Sequence, residues 1–470
     1  MPPLVIRTHS AGGDFGPLRA EFSLPESFGP EVLAEAEAAV LDPSTEPRED
    51  ATDLPLVTID PPGAKDLDQA MVVEKTARGF RVHYAIADLA AFVPPGGALD
   101  REARLRGQTL YLPDGNVPLH PPVLSEGAAS LLPGEVRPAV LWTIETDEAG
   151  EPTATRVRRA LVRSTEQFDY ETVQAALDAG RPHPSVAALP ELGRRRRELA
   201  VRRGAVELQL PEQEITGDPD GGWVLARRPR TAVDAWNAEI SLLTGMAAAR
   251  IMLDARVGVL RTLPDPEPEA VDWLRRSADA LGIPWAPETT VSEFLSRLDP
   301  GQPASMALYA DTTRLLRGAG YTAFDGELPP LTTHAGIGGA YAHVTAPIRR
   351  LVDRFATEIC LAVSAGREVP EWVRAALADV PDRMTASDTL AAKVERACID
   401  QVEAWVLAEH IGGEFSAVVL RADENKAEIL VEDPTVMAKC AGEKLTAGER
   451  IAVRLTAVDV EKRKVSFERA

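Results

Sequence analysis

The chain has 470 residues, of which 45% are hydrophobic and 26% charged, the balance of a folded globular protein that is too long for one ordinary core, so two or three domains are expected. A net charge of -21 argues, taken alone, against a nucleic-acid partner, but an average says nothing of a local channel. No apolar run approaches a membrane span, MPPLVIRTHSAGG lacks the apolar stretch of a secretory signal, and Cys360, Cys398 and Cys440 fall at no metal spacing, which fits a reducing cytoplasm.

Taken in order, the Pro- and Gly-rich lead gives way to PEVLAEAEAAVL, where Val32, Leu33, Ala36, Ala39 and Val40 recur at helical spacing. A helix over Pro30 to Leu41 is expected, ended by Asp42 and Pro43. The lead is too short for its own core and must pack on the next domain or stay mobile.

LVTIDPPGAKDLDQA, residues 56 to 70, concentrates negative charge. Leu56, Val57 and Ile59 read as a short buried strand with Asp60 where the chain leaves cover, and Pro61, Pro62 and Gly63 force a turn. Asp66 and Asp68 sit two apart, which on an extended backbone aims both carboxylates at one face. Carboxylates that close raise one another's pKa unless a cation joins them, and hard oxygen ligands suit magnesium or manganese. A solvated acidic turn, or Asp68 as a helix cap, is the plainer account of the same residues.

Met71 to Val73 and Phe80 to Ala87 form a hairpin pattern, and Leu99 to Arg106 a short helix leading to Tyr111, which is either a half-buried strand residue or a platform for a base. Val140 to Glu145 and Thr155 to Val162 read as strands. From Tyr170 the period turns helical: GRRRRELAVRRG carries six arginines within ten residues, either a phosphate-tracking surface or a solvated helix face. Ala232 to Met252, Pro268 to Leu281 and Ser305 to Leu316 read as further helices.

HAGIGGAYAHVTAPIRRLVD, residues 334 to 353, joins a Gly-rich backbone to Pro347, which is placed to open a helix carrying Arg349 and Arg350. An arginine at a helix start can stabilise charge on a transferred phosphoryl group, and no Gly-Lys-Ser/Thr follows to make a P-loop. After a helix over Leu390 to His410, residues 413 to 470 alternate short strands with polar turns, the spacing of a small five-stranded barrel.

The order TIDPPGAKDLDQA, HYAIADLAAFV, LDREARLRGQTLYLPDGNVPLHPPVLSEGAASLLPGEVRPA and AYAHVTAPIRRLVD resembles the ribonuclease II/R (RNB) family of exoribonucleases over most of residues 46 to 412. The resemblance implies an α+β catalytic domain with a deep channel for single-stranded RNA, hydrolysis from the 3' end to nucleoside 5'-monophosphates, and no membrane or protein partner. It divides the chain into a short extension with a helix at 1 to 45, an RNB domain at 46 to 412 and an S1-type OB-fold at 413 to 470. The cold-shock barrels that typically precede the catalytic domain are not expected in the 45 residues before it.

By the same resemblance Asp60, Asp66 and Asp68 match active-site aspartates that bind Mg2+, with Mn2+ an alternative, and Gln69 stands where the usual pattern has a fourth. A neutral amide can offer one oxygen but removes a charge, so weaker metal binding is expected, and a catalytically silent RNA-binding scaffold is the alternative function. Arg349 matches the catalytic arginine, Arg350 is expected on the RNA backbone, Tyr111 matches a clamping tyrosine and Tyr170 an aromatic linked to ribose preference. Glu239 and Glu395 resemble acids that contact the terminal nucleotides, although Ala238 replaces the first acid of the usual pair. Around Leu208 the second clamp aromatic is missing. In the barrel Phe415 and Phe467 offer the aromatic faces, and Lys439, Lys444, Arg454, Lys462, Arg463 and Lys464 the charge.

Overall fold

The computed structural model describes residues 13–44, 46–207, 212–217, 222–228, 230–299 and 301–470, so residues 1–12 of the N-terminal lead and the position of Leu208 lie outside the described residues. The strands in chain order are β1 (Glu49–Asp50), β2 (Leu56–Ile59), β3 (Gln69–Thr76), β4 (Gly79–Ala87), β5 (Leu110–Leu112), β6 (Gly115–Val117), β7 (Val136–Thr146) and β8 (Pro152–Phe168). Then follow β9 (Glu212–Gly217), β10 (Trp223–Arg228), β11 (Val257–Thr262), β12 (Gly320–Asp325), β13 (Glu414–Ala422), β14 (Lys426–Glu432), β15 (Thr435–Ala441), β16 (Arg450–Asp459) and β17 (Lys464–Arg469).

The first third is β-rich, as its alternation implies. Its sheet runs β1-β8-β2-β3-β4-β7, and because β7 pairs β8 along Val136 to Thr146 while the far end of β8 lies parallel to β2, the sheet curls back on itself. Both predicted strands of this pair are longer in the structure. The C-terminal extension of β8, Arg163 to Phe168, is mostly polar, and within the predicted stretch the arginines find acids: Arg158 meets Glu49, and Arg159 meets Glu46, Asp88 and Glu358.

One face of the sheet buries Tyr84, Trp142 and Ile144 against the helices Ala232–Ala255 and Leu351–Ser364, the latter through Phe355 and Ile359. The other face buries Leu67, Val72 and Leu141 with Ile348. The helix Pro30–Leu41 forms as its spacing predicts, and Val32 and Ala36 join that second core. Its Glu35 carboxylate accepts the N–H groups of Ala98 and Leu99, capping the helix Ala98–Arg106. The lead helix therefore packs on the sheet domain.

The helix before the barrel spans Val380–Ala408, starting earlier than predicted because Pro381 sits in its first turn, where a missing N–H costs nothing. Strands β13-β14-β15-β17-β16 close into the expected five-stranded barrel. Phe467 is 2% exposed and fills the barrel core, edge-on to Phe415, so it offers no open face. Arg454 is paired with Glu414, Arg463 with Glu21 and Lys462 with Asp459. The barrel leans on the helix Pro303–Thr312 through Met306, Ala307, Val418 and Leu420, where Arg421 binds Asp311.

Candidate active site

Strand β2 ends at Ile59, and the N–H of Asp60 still bonds the carbonyl of Phe168 on β8, which fixes the first acid at the sheet edge. Pro61 and Pro62 lead into Gly63, whose φ of +80° suits the turn they begin. Leu67 is fully buried, its N–H donates to Ser130 Oγ, and that hydroxyl donates to the carbonyl of Lys65. The anchored Leu67 leaves Asp66 and Asp68 on the opposite side of the segment, as the two-residue spacing implies.

Asp68 is 2% exposed. Its Oδ1 accepts the Ile348 N–H at 2.8 Å, and its Oδ2 lies 3.3 Å from Arg349 Nε. Burial pushes its carboxyl up to about 8, with the Arg349 charge pulling the other way. Burial likewise raises Asp60 to about 6, against Arg349 and with Asp66 adding repulsion. Asp66 Oδ2 accepts the Tyr111 hydroxyl at 2.8 Å. The segment is thus no solvated turn, and Asp68 ties together two distant stretches rather than capping a helix of its own.

Arg349 does not ride on a helix. The helix begins at Leu351, with Arg350 at its N-cap in extended conformation (φ -135°, ψ 127°) and Pro347, Ile348 and Arg349 forming a turn. The reason is local: Asp353 accepts the Ala346 N–H and holds the Arg350 guanidinium through two bonds of 2.9 Å, while Asp68 takes the Ile348 N–H. Side-chain acceptors from outside the turn outcompete the helical pattern that Pro347 suggests. Arg349 is left half-exposed, facing the acids.

Two cavities meet at this arginine pair. One of about 720 Å³ is lined by Gln69, Tyr170, Glu239, Arg194, Arg197 and Arg203, and one of about 590 Å³ by Tyr111, Leu112, Glu395 and Cys398; Arg349 and Arg350 line both. Tyr111 on the β5–β6 hairpin is 51% exposed, so its ring is open on one side. The Tyr170 hydroxyl accepts from Asn237 at 3.4 Å. Glu239 is 6% exposed, with Arg196 Nε 3.7 Å away, and burial raises its pKa. Of the arginine-rich helix Leu189–Arg202, Arg196 is fully buried while Arg194 and Arg197 face the larger cavity, so neither simple account of that stretch covers all of it.

Gln69 is held at both ends: Nε2 donates to the Thr345 carbonyl at 2.7 Å and Oε1 accepts the Tyr84 hydroxyl at 2.5 Å. Tyr84, Ser241 and Thr345 escape a reading of the sequence, because Tyr84 is one more bulky residue in an apolar strand and the others lie far along the chain.

A hard cation fits part of this donor set. Asp60 Oδ2 and Asp68 Oδ2 are buried without a hydrogen-bond partner, Asp68 Oδ2 having the Arg349 guanidinium beside it, and burial raises both carboxyls' pKa values, a cost that a bound cation would offset. Among the described residues no three of His, Cys, Asp and Glu converge as a ready cage. Gln69 adjoins this set with its amide already engaged at both ends.

Comparison with known proteins bears on the family and the fold. A family profile described as RNB domain matches residues 48–363, and one described as RNase II-type exonuclease C-terminal S1 domain matches residues 413–470. A Ribonuclease R of Acidithiobacillus ferrooxidans is 40% identical over 176 residues, 36% of this chain and 40% of that protein. Ribonuclease R of Aquifex aeolicus is 26% identical over 493 residues, covering 95% of this chain and 69% of that one. The chain spans about half the length of several other curated relatives it matches. Mycoplasma genitalium RNase R in complex with ribose-methylated single-stranded RNA superposes with a TM-score of 0.86 at 20% identity, over 96% of this chain and 77% of that one.

Proposed function

The chain belongs to the RNB family, and from that premise we propose that it is a 3'-5' exoribonuclease, hydrolysing single-stranded RNA to nucleoside 5'-monophosphates with a divalent cation, Mg2+ or Mn2+. The observation that carries the reading is the meeting of Asp68 and Arg349 beside Asp60 and Asp66 at the junction of two cavities. We take residues 46–412 as the catalytic unit, 413–470 as an accessory RNA-binding barrel and 1–45 as an extension packed on the former. No helix among the described residues is long and apolar enough to cross a membrane, and the three cysteines are free and buried, which supports a cytoplasmic setting.

Attack on a phosphodiester builds negative charge on the equatorial oxygens and on the leaving 3' oxygen. A cation held by Asp60, Asp66 and Asp68 would supply positive charge at the entering and leaving oxygens. Arg349, half-exposed and fixed by its turn, faces the same place and can share the equatorial charge. Tyr111 offers an open ring for a base near the 3' end, and the hydroxyl bond to Asp66 sets the angle of that ring. Tyr170 lines the larger cavity, where it can face the terminal ribose. Glu395 lines the other cavity and can accept from sugar hydroxyls, whereas Glu239, 6% exposed at the wall of the larger cavity, shares its charge with Arg196. The guanidinium of Arg350 is engaged by Asp353, so its part is to hold the turn as much as to meet a phosphate.

The second reading, an RNA-binding scaffold without turnover, is favoured by the amide at position 69. End-labelled single-stranded RNA incubated with and without Mg2+ separates the two. A ladder ending in monophosphates that requires the metal supports the nuclease, and bound but intact RNA supports the scaffold.

A further inference from the structure

Gln69 sits at the start of β3, opposite Ile86, and Tyr84 on β4 is its diagonal neighbour on the same face of the sheet. The orientation of its amide follows from chemistry. The Thr345 carbonyl can only accept, so the group 2.7 Å from it is the NH2, and the amide oxygen must face Tyr84. The single Tyr84 proton goes to that oxygen, and the Tyr84 oxygen then accepts from Ser241 Oγ at 2.8 Å. Tyr84 has no exposed surface and Thr345 is 3% exposed, so the two groups that hold the amide are buried, while Gln69 and Ser241 line the larger cavity.

Its far end matters most. Thr345 stands just before the Pro347–Arg349 turn, and Asp68, the neighbour of Gln69, binds Ile348 within that turn. Two successive residues therefore pin the loop that carries Arg349, one through a carboxylate and one through an amide NH2. A carboxylate at position 69 has no proton to give the Thr345 carbonyl at neutral pH.

We propose that Gln69 is a positioning residue for Arg349 and not a ligand of the metal, with Tyr84 holding it in that role. The amide exchanges a charge near the cation for a tether on the arginine loop. The rate part of this inference rests on the nuclease reading above, and the metal part does not.

The test combines Mn2+ binding, read by electron paramagnetic resonance on the RNA-free protein, with steady-state kinetics on single-stranded RNA. Gln69→Leu should bind Mn2+ within about twofold of wild type, while Asp60→Asn, as the positive control, binds it more weakly. Its kcat should fall roughly ten- to hundredfold with little change in KM, the cost of a small misplacement of a charged group. In an Arg349→Lys background the same substitution should cost much less, because the group it aims is already altered; a purely structural role would cost the same in both. Tyr84→Phe, which removes only the hydroxyl and keeps the ring, should repeat the pattern more mildly and serves if Gln69→Leu does not fold. Loss of Mn2+ binding in Gln69→Leu makes Gln69 a ligand and overturns the proposal, as does an unchanged kcat or equal cost in both backgrounds. A wild type that binds Mn2+ and leaves RNA intact overturns the nuclease reading instead, and the Mn2+ comparison still decides whether Gln69 is a ligand.

Discussion

Arg349 Nε lies 3.3 Å from Asp68 Oδ2, and the other oxygen of that carboxylate receives the N–H of Ile348. One side chain thus orders the backbone of the turn and faces the guanidinium that the turn presents. Asp68→Asn separates these duties, since its amide oxygen can still accept the Ile348 N–H while the charge is gone. RNA affinity, measured by fluorescence anisotropy, should stay within a few fold, and single-turnover cleavage should fall by about two orders of magnitude or more. Undiminished cleavage would remove Asp68 from the reaction.

Removing the guanidinium tests the other partner. Arg349→Ala is expected to lower kcat by about a thousandfold and to move KM by a few fold, because its charge matches one that develops only in the transition state. Arg349→Lys should recover part of the rate, as it returns the charge without the planar fork. Equal losses in kcat/KM and in RNA affinity would mean that Arg349 only binds.

How much of this was legible beforehand can be judged from single residues. The acids at 60, 66 and 68 were readable because spacing along an extended segment is a local property, and the hairpin and the barrel followed from alternation and turn residues. The start of the helix at Leu351 was not, because the Pro347 signal lost to Asp68 and Asp353, whose reach depends on tertiary contact. Position 69 shows the same limit: the loss of a charge is visible in the sequence, but the partners Tyr84 and Thr345 that give the amide its use are not. Glu239 was expected to face RNA, and only the fold reveals buried Arg196 beside it.

The Tyr111 ring and hydroxyl are expected to contribute separately. Its hydroxyl donates to Asp66 and its face is open to the smaller cavity. Tyr111→Ala should weaken binding of a short single-stranded RNA by about 1–3 kcal/mol, the usual worth of one stacked base. Tyr111→Phe should keep most of that affinity and lower kcat instead, since it frees Asp66 from its partner. An anisotropy titration beside a steady-state assay distinguishes the two, and equal affinity loss in both variants would assign the binding to the hydroxyl rather than the ring.

A pH dependence arises from His120, a 3% exposed imidazole beneath the arginine turn. The Pro347 backbone lies beside its ring and favours the protonated form only weakly, while Nδ1 is buried with no hydrogen-bond partner. Burial, with the charges of Arg354 and Arg106 nearby, lowers its pKa to about 3. The unfolded chain titrates near the ordinary value of 6.5, so below that pH it binds a proton that the folded protein refuses. The stability in question is therefore fully present above about pH 6.5 and is lost as pH falls toward 3. His334 and His343 shift in the same direction, and Asp60 and Asp68 in the opposite one, so the contrast must be drawn between variants rather than across one pH scan. Relative to His120→Gln, the wild type should lose roughly 3 kcal/mol between pH 7 and pH 4, at about 1.4 kcal/mol per pH unit. Urea unfolding of both proteins at several pH values reads this directly. Parallel curves would show that the His120 ring takes up its proton in the folded state and that the turn above it tolerates the charge.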